Sequence, residues 1–120
     1  MFERLKERAN ADPNVARVGR TCSTEFVLSA DGTPWHVIVE NGVVKDVLKG
    51  PFKMRGASFR IEATSEAWQA YMTAAPPPGL HDIFAMSATG NARIEGDMAV
   101  LHEHLWFFKT LLVTLREDAR

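Results

Sequence analysis

The chain has 120 residues, 46% of them hydrophobic, and carries 14 Lys and Arg against 15 Asp and Glu. This length predicts one domain with a sizeable core, and the near-zero net charge without a basic run argues against nucleic acid or an anionic membrane as the main partner. The single cysteine, Cys22, excludes an internal disulfide, and the absence of a long apolar run or signal-peptide core predicts a cytoplasmic protein without stable membrane insertion.

A short amphipathic helix is predicted at the start of the chain, over residues 2–10. Its apolar side chains recur at helical spacing, and they are Phe2, Leu5 and Ala9. The sequence Asp12-Pro13-Asn14 is expected to break it. We therefore expect one domain over residues 1–120, with an N-terminal helix in residues 1–12 and a main body over residues 20–116.

Three apolar segments then predict a strand meander, at residues 25–29, 35–40 and 43–49. The first two are joined through Asp31-Gly32 and the last two through Asn41-Gly42. Both dipeptides favour the positive φ angles that two-residue hairpin turns require, so each segment is expected to pair with the next.

A fourth strand is predicted at residues 58–64, because apolar and polar residues alternate along it. The alternation sets Phe59, Ile61 and Ala63 against Arg60, Glu62 and Thr64. One face of the sheet is therefore expected to be buried and the other to be wet.

Helices dominate the second half of the chain. Ser65 is expected to cap a helix that runs to about residue 74, followed by an exposed, stiff loop at Pro76-Pro77-Pro78-Gly79. A short helix is predicted at residues 80–86 and a fifth strand at residues 90–96.

The longest helix is predicted to begin at a cap on Asp97 and to end at about residue 116. An apolar stripe follows it at alternating steps of three and four, and its members are Met98, Leu101, Leu105, Phe108, Leu112 and Leu115. Trp106 and Val113 form a second apolar patch on another side. Such a helix is expected to pack against the sheet and also to face another helix, a subunit or a ligand.

The histidines and the cysteine form no recognisable catalytic or metal pattern. His102 and His104 stand two apart, so on a helix their side chains point about 200° away from each other and cannot share one ion. The four-residue spacing of helical zinc ligands is absent, and nothing around Cys22 predicts an activated thiol. We therefore predict no metal, no cofactor and no catalytic residue.

Two interpretations of His104 are open, since it falls within the apolar arc of the last helix. It is either a hydrogen-bonded core histidine or a polar contact for the head group of a ligand. The methionine and aromatic side chains in the second half of the chain also have two interpretations. They form either an ordinary core or a cavity that accepts ligands of varied shape.

The stretch over residues 82–112 resembles the sterol carrier protein 2 family. Residues 84–101, FAMSATGNARIEGDMAVL, are similar to the end of that family's domain, where a short helix leads into a Gly-begun strand, then Glu-Gly-Asp, then a long apolar helix. The order of elements upstream agrees, so the resemblance covers about residues 20–115. The chain departs from the family at Asn91, where members commonly carry lysine, and in the proline-rich loop before Leu80.

This resemblance implies an α+β fold, with a five-stranded, mainly antiparallel sheet, helices covering one face and an apolar cavity between the layers. It also implies reversible, non-catalytic binding of fatty-acyl, isoprenoid or sterol-like molecules. We therefore expect the protein to bind, shield or transfer such a lipid, or a quinone, and to present it to a partner enzyme. The expected ligand contacts are Trp68, Met72, Ile83, Phe84, Met86, Leu101, His104, Leu105 and Phe108. The alternative is an interaction or homodimerisation module with a solid core, using Trp106 and Val113 as its surface. An enzyme is a third hypothesis.

Overall fold

The computed structural model describes residues 1–50 and 56–116. Its helices are α1 (Leu5–Ala11), α2 (Pro13–Val18), α3 (Ser65–Tyr71), α4 (Ile83–Ala88), α5 (Met98–Glu103) and α6 (Leu105–Val113). Its strands are β1 (Thr24–Ala30), β2 (Thr33–Glu40), β3 (Val43–Lys49), β4 (Phe59–Ala63) and β5 (Ala92–Gly96). Within the described residues, none of the helices combines the length and the apolar character needed to cross a membrane.

The five strands form one sheet in the order β3-β2-β1-β4-β5. Three of the neighbouring pairs are antiparallel. The remaining pair, β1 and β4, is parallel, with Val27 opposite Arg60. The predicted α+β fold with a mainly antiparallel, five-stranded sheet is therefore confirmed.

Both predicted hairpin turns form at the expected dipeptides. Asp31 and Asn41 each have a φ of 50°, and they are followed by Gly32 at 83° and Gly42 at 79°. Two successive positive φ angles define the type I′ turn, whose twist matches that of the flanking strands. Because these loops are so short, they fix the register in which β1, β2 and β3 pair.

The helices lie on one face of the sheet, which carries the core. On β4 the alternation is as predicted, since Phe59, Ile61 and Ala63 are buried whereas Arg60 is exposed. Leu28 of β1 lies beside Ile61 and is also buried, so the buried face is continuous from β4 to β1. The expectation that the other face is wet is wrong for the middle of the sheet, because Val27, Ser29 and His36 are buried there as well.

The N-terminal helix is shorter than predicted, and a second helix follows it that the prediction missed. α1 begins only at Leu5, with Phe2 buried ahead of it. The segment taken as a break instead starts α2, because the Asp12 carboxylate accepts a hydrogen bond from the Asn14 N–H at 2.9 Å. Pro13 stands at the first helical position, where its missing N–H costs nothing.

Two helices of the second half begin at other residues than predicted. Thr64, not Ser65, caps α3, because its hydroxyl accepts from the Ala67 N–H at 3.0 Å. α4 begins only at Ile83, because the Asp82 carboxylate accepts from the first free amides of that helix.

The long C-terminal helix is interrupted at His104, which the prediction also missed. His104 has φ −113° and ψ 33°, so α5 ends before it and α6 begins after it. Kinks usually arise at proline or glycine, and neither occurs between Asp97 and Val113. The predicted cap is confirmed, since Asp97 accepts from the Ala99 N–H at 3.0 Å.

Candidate functional site

The predicted ligand contacts come together on the helical side of the sheet. Five of the nine are buried in the core, namely Trp68, Ile83, Met86, Leu101 and Phe108. Met72 and Phe84 are partly buried and pack against the same hydrophobic cluster. Side chains from α3, α4, α5 and α6 therefore meet in one apolar layer between the helices and the sheet.

The other two predicted contacts, His104 and Leu105, lie at the break between α5 and α6. Both are only partly buried. Leu105 is thus less enclosed than its place in a continuous stripe predicts, because the break turns the residues after it relative to those before it. A head-group contact by His104 stays a prediction.

Aromatic rings fill the centre of this apolar layer. Phe26 stacks on Phe59 with their ring centroids 5.1 Å apart. Phe108 of α6 meets both rings edge-on, at 5.2 and 4.9 Å. These are the preferred contact distances of aromatic pairs, so a large ligand can occupy this layer only if helices move or side chains reorient.

Helix α3 is fixed to the sheet by its aromatic side chains. The Trp68 indole N–H donates to the Ser29 carbonyl at 2.9 Å, and its ring lies edge-on to Phe2 at 5.1 Å. Tyr71 packs beside Trp68 at 5.7 Å, and burial raises the pKa of its hydroxyl, against the smaller opposing effect of Arg116.

Two cationic side chains, Lys109 in α6 and Arg116 just after it, hold the loop between α3 and α4. The Lys109 Nζ lies 3.0 Å from the Asp82 Oδ2 and 5.5 Å from the centre of the Phe84 ring. The Arg116 guanidinium donates to the Tyr71 carbonyl at 3.0 Å and also to the His81 carbonyl. Although partial burial acts to raise it, the pKa of Asp82 is lowered, because Lys109 and the Phe84 N–H stabilise the carboxylate.

A small pocket of about 70 Å³ lies directly behind these contacts. Its walls are Tyr71, His81, Asp82, Ile83, Lys109, Leu112 and Val113. Ile83 and Leu112 belong to the core, so the pocket reaches from the surface contacts to the apolar layer.

An open groove of about 970 Å³ lies on the outside of α6. Trp106 lines it with 74% of its surface exposed, and Val113 lines it with 45% exposed. Lys109 and Val113 line both this groove and the small pocket. The predicted second patch of Trp106 and Val113 is therefore exposed on a concave surface.

In the part of the chain that the structure describes, the titratable residues form no metal centre. Among the described residues, His, Cys, Asp and Glu form no group of three or more that could hold an ion. Cys22 is buried, and desolvation with a smaller effect of Glu103 raises the pKa of its thiol to about 11. The thiol is therefore protonated at neutral pH, whereas a nucleophilic cysteine needs a lowered pKa.

His36 has a partner that the sequence analysis missed. Its Nδ1 lies 3.2 Å from the Glu25 Oε2, on the sheet face away from the helices. The β1–β2 register places Glu25 opposite Ile38 and His36 opposite Val27, so the two side chains are diagonal neighbours. The contact between His36 and Glu25 could have been predicted from the sequence, by pairing the residues of β1 and β2 outward from the Asp31-Gly32 turn.

Comparison with known proteins gives matches among solved structures only. No protein-family model and no curated protein matches the chain. A crystal structure of sterol carrier protein 2 has a TM-score of 0.75 at 17% identity, over 96% of this chain and 92% of that one. UbiJ-SCP2, a ubiquinone synthesis protein, has a TM-score of 0.63 at 17% identity, over 97% and 88% of the two chains.

A larger enzyme contains a similar domain. The sec-alkylsulfatase Pisa1 from Pseudomonas sp. matches with a TM-score of 0.56 at 12% identity, over 87% of this chain but only 14% of the sulfatase. Together these likenesses show that the chain has the fold of sterol carrier protein 2, as the sequence resemblance implies.

Proposed function

We propose that this protein binds an apolar small molecule of fatty-acyl, isoprenoid, quinone or sterol-like structure, and shields, carries or presents it without converting it. The observation that carries the proposal is the apolar layer on the helical side. Seven of the nine expected ligand contacts lie in or against one cluster there, and they come from four helices and the loop after α3.

The composition of this layer supports a ligand of variable shape. Met72 and Met86 are unbranched and adaptable, and methionine is common where a surface must accept different partners. Small-molecule sites are mostly apolar, with a few polar groups that orient the ligand. His104, at the border of the layer, is the polar group that this proposal assigns to a ligand head group.

The structural neighbours favour the same class of ligand. One is named for sterol carriage and another for ubiquinone synthesis, and both sterols and prenylated quinones are large apolar molecules. The neighbour in quinone synthesis also supports presentation of the ligand to a partner enzyme.

Probe titration tests the proposal. Delipidated protein is titrated with an environment-sensitive fluorescent fatty acid, and the signal should saturate near one equivalent with micromolar or tighter affinity. Unlabelled fatty acid, prenylated quinone and sterol are then added as competitors, to rank the ligand classes.

A matched pair of variants locates the site. Met86→Phe enlarges a buried side chain within the apolar layer, and Val27→Leu enlarges a buried side chain of β1 that lies outside this hydrophobic cluster. Met86→Phe should weaken probe binding several-fold, whereas Val27→Leu should leave it unchanged. The absence of a saturable signal with all three classes of probe would overturn the proposal.

A second function, a protein interaction or homodimerisation module, is favoured by one observation. Trp106 is 74% exposed beside Val113 in the outer groove, and tryptophan is enriched among residues that dominate binding at interfaces. Native mass spectrometry of freshly purified protein separates the two functions. Bound lipid supports a carrier, whereas an empty dimer that Trp106→Ser converts to monomer supports the module.

A further inference from the structure

We infer that residues 72–88, which comprise the loop after α3 together with α4, form a lid over the apolar layer, and that the Lys109–Asp82 ion pair is the latch that holds it closed. This inference rests on the proposed binding of an apolar ligand. It adds the route by which the ligand reaches the layer, and it identifies two side chains that control the rate of access.

The lid is tied to α6 by polar contacts at the surface. Lys109 pairs with Asp82 at 3.0 Å, where the two side chains are 35% and 26% exposed. Arg116, three residues after α6, donates to the Tyr71 carbonyl at the end of α3 and to the His81 carbonyl within the lid. Contacts of this kind are reached by water, so they can open without exposing the whole core at once.

The space behind the latch shows where opening leads. The pocket of about 70 Å³ is lined by Lys109 and Asp82 of the latch and by Ile83 and Leu112 of the core, and it is several times smaller than the roughly 300–1,000 Å³ of typical small-molecule sites. A long-chain ligand therefore cannot pass through the closed form. Movement of α4 would uncover Ile83, Phe84 and Met86, three of the expected ligand contacts.

A dependence of the uptake and release rates on ionic strength distinguishes an ion-pair latch from ordinary apolar packing. Because the pair is partly exposed, salt screens the attraction between the ammonium and the carboxylate. In the native sequence the rates of ligand uptake and release should therefore rise with salt. In Lys109→Met, which keeps an apolar stem over Phe84, this dependence should largely disappear.

The experiment uses stopped-flow fluorescence with a nitrobenzoxadiazole-labelled fatty alcohol, an uncharged probe chosen so that Lys109 does not attract it directly. At low salt, Lys109→Met should accelerate both uptake and release by roughly two- to fivefold, the range expected for loss of a partly exposed ion pair. Lys109→Arg, which keeps the pair, should retain the native rates. Arg93→Met breaks the Arg93–Glu95 pair at 2.6 Å on β5 and should change neither rate.

Hydrogen exchange tests the lid without any ligand. The Met86 N–H is bonded to the Asp82 carbonyl and the Thr89 N–H to the Ala85 carbonyl, so both amides report on α4. Lys109→Met should accelerate their exchange by a similar factor and leave the β2–β3 hairpin unchanged.

If Lys109→Met takes up and releases the probe at the native rates, and if its α4 amides exchange as in the native protein, the proposed latch is wrong even if the probe binds well. If the wild-type protein binds no probe, the proposed function fails, and the exchange of the α4 amides alone then decides whether the lid opens.

Discussion

Asp97 shows how a single carboxylate sets the start of a helix. It follows Gly96, where the backbone turns with a φ of 112°, and its side chain accepts from the Ala99 N–H at 3.0 Å. The Asp97 N–H itself donates to the carbonyl of Ser58, the residue before β4, at 2.7 Å, so Asp97 links the end of β5 both to the start of β4 and to α5.

Removal of this cap should destabilise the domain. Asp97→Ala leaves the Ala99 amide without its side-chain acceptor, and we expect the free energy of unfolding to fall by about 0.5–2 kcal/mol. Asp97→Asn, which retains an acceptor, should lose less. Denaturant unfolding of the three proteins measures the difference, and equal stability of Asp97→Ala and wild type would show that the cap contributes nothing.

Cys22 gives a pH dependence with a defined sign. The ordinary pKa of the thiol is 9.0, and burial raises it to about 11 in the folded protein. Below pH 9 the thiol is protonated in both states, so it adds no pH dependence. Between pH 9 and about 11 only the unfolded chain releases the proton, so the free energy of unfolding should fall with rising pH through this window.

The comparison with Cys22→Ala isolates this contribution from other groups that titrate at high pH. The stability of the wild type should decline more steeply than that of the variant between pH 9 and 11. A thiol-specific reagent at pH 8 should also react slowly with the native protein and rapidly in denaturant. Rapid reaction in the native state would mean that Cys22 is accessible.

At the scale of elements, the contact between α2 and α6 depends on a glycine without a special backbone angle. Gly19 follows α2 with a φ of −102°, which any residue adopts. A Cβ placed there would lie 2.1 Å from Cδ1 of Phe107, and Phe107 is buried. The ring of α6 therefore occupies the space that a side chain on Gly19 would need.

Gly19→Ala should consequently lower the free energy of unfolding by about 1–3 kcal/mol, as overpacking does in other cores. Gly56→Ala is the matched control, because a Cβ at Gly56 meets nothing within 4 Å. Phe107→Leu in the Gly19→Ala background should recover part of the loss, which a double-mutant cycle measures. Additive losses would show that the two positions do not compete for space.

Local sequence rules predict some of the helices and turns of this protein and miss others. The Asp-Gly and Asn-Gly turns follow from backbone preferences of two residues, so both hairpins are predictable. α2 is missed because Asp12-Pro13 reads as a break, although aspartate before proline is also a helix start. The break at His104 has no local signal, because neither proline nor glycine marks it.

For the whole molecule, the burial of the candidate site could be predicted, but its shape could not. Helical periodicity correctly places Leu101 and Phe108 in the core. The same periodicity describes a filled core and a ligand cavity equally well, because it reports the direction of a side chain and not the space beyond it. The contact of Phe108 with Phe26 and Phe59 depends on how distant segments pack.

Ligand binding and stability should be linked quantitatively. A ligand that binds only the folded state raises the free energy of unfolding by about 2.7 kcal/mol at a free concentration of 100 times Kd. Delipidated protein should show this rise with any ligand whose Kd the probe titration has given. A much smaller rise would mean that the ligand binds the unfolded chain as well, contrary to an enclosed site.

The parallel pairing of β1 with β4 has a consequence for how the chain folds. β2 reaches β1 through a two-residue turn, and such hairpins form within about 1–10 μs. β4 pairs with the other edge of β1, with Val27 opposite Arg60. These two residues are far apart in the sequence, so the chain between them must first close into a loop. This step is slow because the conformational entropy of the loop is lost before the pairing contributes any stability. Meanwhile one edge of β1 stays open, and an open edge is a template for another chain. Refolding at high concentration should therefore lose protein to aggregates, and dilution should restore the yield.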